Sequence, residues 1–276
     1  MDEGISLSSA VDRWLAFQAD RWVEKTTSNR RMILDRLILL AGGGIPAKDL
    51  QDGHIQDLWL AMQPGPGWAR YVAGCLHGFC RWLQRRGILR VDPSMAWPRV
   101  AYDPAGAFRT VSREEEARLL AVLPLPLQRY VVLAIGTGLR RGTLYSAVWS
   151  WVDSSWILSV PASAMKQGHA LQIPLSVRVQ ELLGERGNPE DPLIAGLPCR
   201  DDLNRHLQAA ARRAGVDPEH LTSHQFRRTW VERARDAGAS REEVQIMQGW
   251  ASSSVLLTHY WPRVSAARSR EIFERI

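Results

Sequence analysis

The chain has 276 residues, 45% hydrophobic and 23% charged, the balance of an ordinary globular protein with material for two domains. No apolar run is long enough to cross a bilayer, and the N-terminus, MDEGISLSSAVDRW, is acidic where a secretory leader would be basic, so a cytoplasmic, nucleoid-associated protein with no membrane partner is expected. Net charge is +6, which permits a nucleic-acid partner without establishing one.

Two residue types narrow the chemistry. Lysine occurs only at Lys25, Lys48 and Lys166, so 32 of the 35 basic residues are arginine. A GC-rich coding sequence would also produce that bias, yet it isolates Lys166 as the one side chain beyond residue 48 that is cationic and can still release a proton readily. The cysteines are three, Cys75, Cys80 and Cys199. The odd number and the 75/80 spacing fit neither a CxxC pair nor a zinc finger, so free thiols in a reducing compartment are expected.

In chain order, residues 8–22 carry Val11, Trp14, Leu15, Phe17 and Trp22 at helical spacing, with Ser8 or Ser9 as cap. A second helix is predicted from Thr27 or Ser28 to the stop at Gly42-Gly43-Gly44, and a third from Asp52 through Met62. Pro64-Gly65-Pro66-Gly67 breaks the chain, and residues 68–86 form the longest helix of the set, ending at Gly87. Four helices with short connections predict a compact bundle. Arg70, Arg81, Arg85 and Arg86 on the fourth helix are candidate DNA-backbone contacts; a solvated helix face accounts for them equally well. Residues 91–108, with Pro93, Pro98 and Pro104, read as a linker, which sets the predicted division at 1–101, a 102–108 link and 109–276.

Beyond the linker, Ser112 and Glu115 form a capping box that opens a helix. Residues 126–135 are apolar and helical, and a Gly-bounded turn leads to a further helix near Arg140. Three short strands are predicted at 149–153, 156–160 and 170–174, with SAMKQGH in the turn between the last two. Helices follow at 176–183 and 201–214, then two more within 222–260, and a short terminal helix at 264–276. Trp149, Trp151 and Trp156 are expected in the core rather than as base-stacking platforms.

The candidate site is built from pieces that are individually weak. His224 and Arg227 are three apart and share a helical face, a donor pair suited to an anion. Arg140 follows a Gly-Thr-Gly turn at a helix start, where free N–H groups favour phosphate. Two guanidinium forks and an imidazole can hold the non-bridging oxygens of one phosphodiester. Lys166, at a hairpin tip, can reach a leaving oxygen. Tyr260 has a hydroxyl that a cationic cluster can activate as a nucleophile.

In order and in nearly all spacing, TGLR with Arg140, the hairpin Lys166, HQFRRT with His224 and Arg227, QGW with Trp250 and THY with Tyr260 resemble the tyrosine recombinases, the phage-integrase-like family of site-specific DNA recombinases. The resemblance covers the second domain and, more loosely, the first. It implies a mainly α protein: an N-terminal helical core-binding (SAM-like) bundle, then an α+β catalytic domain with a small antiparallel sheet. It implies that Tyr260 attacks the scissile phosphate and forms a 3′-phosphotyrosyl link, while Arg140 and Arg227 stabilise the phosphorane. Lys166 then protonates the departing 5′-oxygen, His224 bonds the phosphate and assists removal of the Tyr260 proton, and Trp250 donates a hydrogen bond from a place more often held by His. No cofactor or metal is implied. The implied partner is double-stranded DNA at a specific site, with a tetramer in the synapse, a monomer or dimer off DNA, and the tail helix at 264–276 packed on a neighbouring protomer.

Three departures from the family pattern stand out. Thr143 replaces a usual acidic residue three positions after Arg140. The interval from Trp250 to Tyr260 is one residue longer than common, with slack expected at Ser252, Ser253 and Ser254. His259 precedes Tyr260 and is read as a neighbour rather than a second base. Type IB topoisomerase-like relaxation, a DNA-binding regulator without catalysis, and a metal nuclease are the competing functions. The compact first domain and the tail argue against the first, the complete residue set against the second, and the missing ligand cluster against the third.

Overall fold

The computed structural model describes residues 4–99, 109–165, 168–219 and 221–250. The chain divides into two compact units, Met1–Tyr102 and Asp103–Ile276.

The first unit packs α1 (Leu7–Phe17), α2 (Glu24–Ala41), α3 (Asp52–Met62) and α4 (Pro66–Arg85) around one apolar core. Its centre is aromatic. Trp14, 1% exposed, lies edge-on to Trp22 at 5.1 Å and tilted against Phe79 at 5.5 Å, while the Arg30 guanidinium covers the Trp22 ring at 3.9 Å. Truncating a buried ring of this size costs about 3–5 kcal/mol. Cys75 and Cys80 are buried on α4. Burial pushes the Cys75 thiol up to about 12 and the Cys80 thiol up as well, which makes them inert core atoms. Cys199 is exposed.

Three helix starts differ from the sequence expectation. Ser6, not Ser8 or Ser9, caps α1, because its Oγ accepts from the Ser9 amide at 3.2 Å. Likewise α2 begins at Glu24 rather than near Thr27; the Ser28 hydroxyl donates back to the Glu24 carbonyl at 3.0 Å and so sits inside the helix. The α4 helix begins at Pro66, whose missing N–H costs nothing in a first turn. It ends in a left-handed Gly87 with φ +71°, where the Gly87 and Ile88 amides return to the Gln84 and Leu83 carbonyls. The proline-rich stretch predicted as linker is packed through residue 97. Pro93–Ala96 is a 3-10 turn, and Trp97 stacks edge-on to Trp59 at 4.9 Å and donates to the Ala69 carbonyl at 3.1 Å.

The second unit contains α5 (Arg113–Val122), α6 (Leu125–Thr137), α7 (Arg141–Ser146), β1 (Ile157–Val160), β2 (Leu171–Pro174), α8 (Val177–Leu183), α9 (Leu203–Arg213), α10 (Ser223–Asp236) and α11 (Arg241–Met247). Reciprocal capping boxes open α5, α10 and α11 at Ser112/Glu115, Thr222/Gln225 and Ser240/Glu243. The central α6 is apolar on nearly every face, as a helix packed on several sides must be, and lies against α8 and α10. Glu116 of α5 is 1% exposed and forms ion pairs at 2.7 Å with Arg178 of α8 and with Arg233 of α10.

The sheet is a two-stranded antiparallel hairpin, Ile157 opposite Pro174 and Val160 opposite Leu171. The strand predicted at 149–153 does not form. Trp149–Trp151 is a 3-10 turn whose Trp149 and Ser150 amides donate to Asp191 and Pro189, leaving a single bridge from Val152 to Leu158. Trp149 is buried and Trp151 and Trp156 pack against the same core, as expected. The terminal helix expected at 264–276 lies outside the described residues. No described helix is long and apolar enough to cross a membrane.

Candidate active site

The site is organised by the C-terminal end of α6. A helix leaves its last carbonyls without internal partners, and they carry the negative end of the dipole. Two side-chain donors from distant elements meet them. The Gln248 amide Nε2 donates to the Thr137 carbonyl at 3.0 Å, and the Arg227 Nη1 donates to the Gly138 carbonyl. Gly138 turns the chain with φ +66°, and a β-carbon there would lie 2.6 Å from Gln248 Nε2 and 2.8 Å from Trp230 Cδ2. Glycine satisfies both demands at once.

Arg140, two residues on, is the cap residue of α7; its backbone is extended and its carbonyl accepts from the Leu144 amide at 3.0 Å. The side chain is half-buried, and its Nη1 is buried without a hydrogen-bond partner among the described residues. A guanidinium held this way has donor capacity available for an anion.

Helix α10 supplies the opposite wall. Thr222 caps it, the Ser223 amide donates to Asn204 Oδ1 at 3.1 Å, and Phe226 packs edge-on to Tyr130 of α6 at 6.4 Å. These contacts fix the rotation of the helix, so that Arg227 points inward, 1% exposed, while His224 one turn earlier is exposed. The Arg227 guanidinium lies 4.8 Å from the centre of the Trp250 ring. A buried cation is expensive unless it is bonded; here the Gly138 carbonyl and the π face of Trp250 compensate. Trp250, 4% exposed, packs with Val231 and Val244. Its backbone is locked both ways to Gln245: the Trp250 amide donates to the Gln245 carbonyl at 3.0 Å, and the Gln245 side chain donates to the Trp250 carbonyl at 3.1 Å. Gly249, φ +60°, presses against Leu171 of β2, where an added β-carbon would stand at 3.2 Å.

Four of the six residues singled out by sequence are described. The structure brings Arg227 and Trp250 into contact and ties Arg227 to the turn that leads into Arg140. His224 shares the same helix face one turn from Arg227. Lys166 and Tyr260 lie outside the described residues, as do His259 and the serine run at 252–254. Next to position 166, Met165 is buried, and the Thr143 hydroxyl of α7 donates to the Ala164 carbonyl at 3.1 Å. Thr143, which departs from the acidic residue of the family pattern, therefore binds the arm of the hairpin to the helix that begins after Arg140.

On the first unit, Arg70, Arg81, Arg85 and Arg86 are all exposed. The first three fall with Gly74 and His77 on one stripe of α4, at the spacing of successive turns. Arg86 is placed differently: it caps the helix and its guanidinium covers the Trp82 ring at 4.5 Å.

Sequence reasoning missed Gln248 and Glu116. Gln248 stood inside the QGW motif but looked like a spacer; only its burial, 0% exposed, reveals it. Glu116 stood in a run of three glutamates that reads as a charged first turn.

Residues 111–263 match the model of the phage integrase family. The chain is 27% identical over 285 residues to tyrosine recombinase XerC of Erythrobacter litoralis, covering 95% of this chain and 89% of that protein. It is 26% identical over 188 residues to the integrase of Salmonella phage P22, covering 59% of this chain and 47% of that one. Among solved structures, the Tn1549 transposon integrase in complex with a circular intermediate DNA superposes with a TM-score of 0.79 at 13% identity, covering 99% of this chain and all of that one. A lambda integrase dimer bound to a COC′ core site superposes at 0.70 and 18% identity, covering 96% and 81%. On the match across more than half its length, and with a mainly helical fold carrying a small antiparallel hairpin, the chain belongs to the phage integrase family of tyrosine recombinases.

Proposed function

We propose that this chain cuts and rejoins duplex DNA at a specific site through a covalent 3′-phosphotyrosyl intermediate on Tyr260. The observation that carries the proposal is the convergence of Arg227, Trp250 and the turn leading into Arg140 at one place, with the exposed His224 one helical turn away. In this scheme the Tyr260 oxygen attacks the scissile phosphorus, its proton passing through His224. Arg140 and Arg227 offset the charge that develops on the phosphorane. The bond to the 5′-oxygen breaks as Lys166 gives that oxygen a proton. The phosphotyrosine keeps the bond energy, so the 5′-hydroxyl of a partner strand reverses the step with no nucleotide consumed. Trp250 can donate from its indole N–H but cannot carry a proton, so its role is to hold Arg227.

Duplex DNA is the proposed partner of both units, with the α4 stripe of Arg70, Arg81 and Arg85 meeting backbone phosphates, and with a tetramer as the synaptic assembly. The relatives named above support DNA as substrate.

The test is a nicked duplex carrying the cognate site, in which the cleaved fragment diffuses away and traps the covalent species. The parent chain should become linked to DNA and the Tyr260→Phe variant should not. No adduct from the parent, or an adduct from the variant, would refute the proposal.

A further inference from the structure

We infer that Gln248 is a positioning residue for Arg140: it holds the Thr137–Gly138 turn in the one geometry that aims the arginine at its anion. The catalytic consequence rests on the recombinase function proposed above; the structural part does not.

Three observations converge. First, Gln248 is 0% exposed, so its amide has no water to exchange with, and its Nε2 is committed to the Thr137 carbonyl at 3.0 Å. A flipped amide would set oxygen against oxygen, so the bond fixes the orientation of the whole side chain. Its Oε1 is buried with no partner among the described residues, a cost that the single Nε2 bond offsets. Second, the accepting carbonyl ends α6, three residues before Arg140, and its neighbour, the Gly138 carbonyl, accepts from Arg227. The turn is thus clamped by two donors, one from α10 and one from the segment after α11. Third, Gly138 at φ +66° lets Gln248 approach, since a β-carbon there would stand 2.6 Å from Nε2. Glutamine at 248 therefore requires glycine at 138.

The geometry links two parts of the site. Gln248 lies two residues before Trp250, whose ring covers Arg227. An apolar residue at 248 would pack but would leave the Thr137 carbonyl buried and unpaired, and the turn would relax to satisfy it.

Gln248→Leu and the equally long Gln248→Met remove the donor; the second guards against a packing failure in the first. In hydrogen–deuterium exchange, without DNA, the amides of residues 138–141 should exchange about tenfold or more faster in either variant, while those of α5 keep the parent rate. On the nicked substrate, covalent adduct formation should slow by roughly 10- to 100-fold, because the relaxed turn no longer aims Arg140, with half-site binding changed less than about twofold. In an Arg140→Ala background the same substitution should add less than about twofold, because its effect passes through Arg140. Unchanged exchange at 138–141 would overturn the clamp. Slowing that multiplies in the Arg140→Ala background would overturn the coupling to Arg140. A parent chain that forms no adduct would defeat the recombinase proposal instead, and the exchange result would still decide the clamp.

Discussion

Arg227 on α10 and Gly138 at the end of α6 lie 89 residues apart and are joined by one buried hydrogen bond, from the guanidinium Nη1 to the carbonyl oxygen. The residue proposed to bind phosphate is therefore also a staple between two helices. Its two functions separate by substitution. Arg227→Ala leaves the Gly138 carbonyl unpaired and removes the partner of the Trp250 ring. It should lower unfolding free energy by about 2–3 kcal/mol in a urea titration and abolish adduct formation. Arg227→Lys keeps the charge without the planar fork. It should recover at least half of the lost stability and almost none of the cleavage. A lysine variant that cleaves like the parent would show that charge alone suffices.

Gly138 allows an experiment on geometry without touching a charged group. Gly138→Ala places a methyl within 2.6 Å of Gln248 and 2.8 Å of Trp230, on a backbone of φ +66° that alanine adopts poorly. The expected cost is about 1–3 kcal/mol from strain, read as a lowered urea midpoint. The displaced turn carries Arg140, so adduct formation should fall by more than the loss of folded protein explains, measured at a temperature where both proteins are fully folded. Cleavage at the parent rate in the folded variant would mean that Arg140 tolerates the displacement.

Much of this architecture was legible because the signals are local. Ser112 with Glu115, Gly87 and the 3.6-residue rhythm of α4 each settle a boundary from residues within one turn of it. The strand expected at 149–153 failed because its outcome is not local: Trp149 and Ser150 bond to Asp191 and Pro189, some forty positions away, and that pairing bends the segment into a turn. The site divides the same way. The order of Arg140, His224, Arg227 and Trp250 was legible from their motifs. That Arg227 is wholly buried while His224 is exposed depends on how α10 is rotated against Tyr130, which no motif encodes. Gln248 and Glu116 are invisible in sequence for a further reason: a polar residue announces its role only through burial.

Glu116 makes that point quantitative. It is 1% exposed between Arg178, which is 51% exposed at its side chain, and Arg233, which is 20% exposed. Solvent screens the first pair and contributes little; the second is the one that matters. Arg233 lies on α10, as Arg227 does, so the pair also fixes that helix against α5. Glu116→Ala strands the Arg233 charge and should cost about 3–5 kcal/mol. Arg178→Ala should cost less than about 1 kcal/mol. Equal losses from the two, measured by urea unfolding, would contradict the ranking by burial.

Lys166 is the proposed general acid. An alkoxide is a poor leaving group unless it is protonated as it departs, whereas a thiol, with an ordinary pKa of about 8.5, leaves as the anion without help. Lys166→Ala should therefore slow cleavage of an ordinary 5′-oxygen junction by roughly 10²–10⁴-fold. It should slow a junction bearing sulfur at the bridging 5′ position by less than about tenfold. The contrast isolates proton donation from charge stabilisation, since the loss of a cation would penalise both substrates alike. Thr143 provides a second check on the same arm. Its hydroxyl holds the Ala164 carbonyl at 3.1 Å, so Thr143→Val should slow the oxygen substrate more than the sulfur one if the hairpin presents the acid. Equal slowing of both substrates in Lys166→Ala would remove Lys166 as the acid and leave that proton to another group.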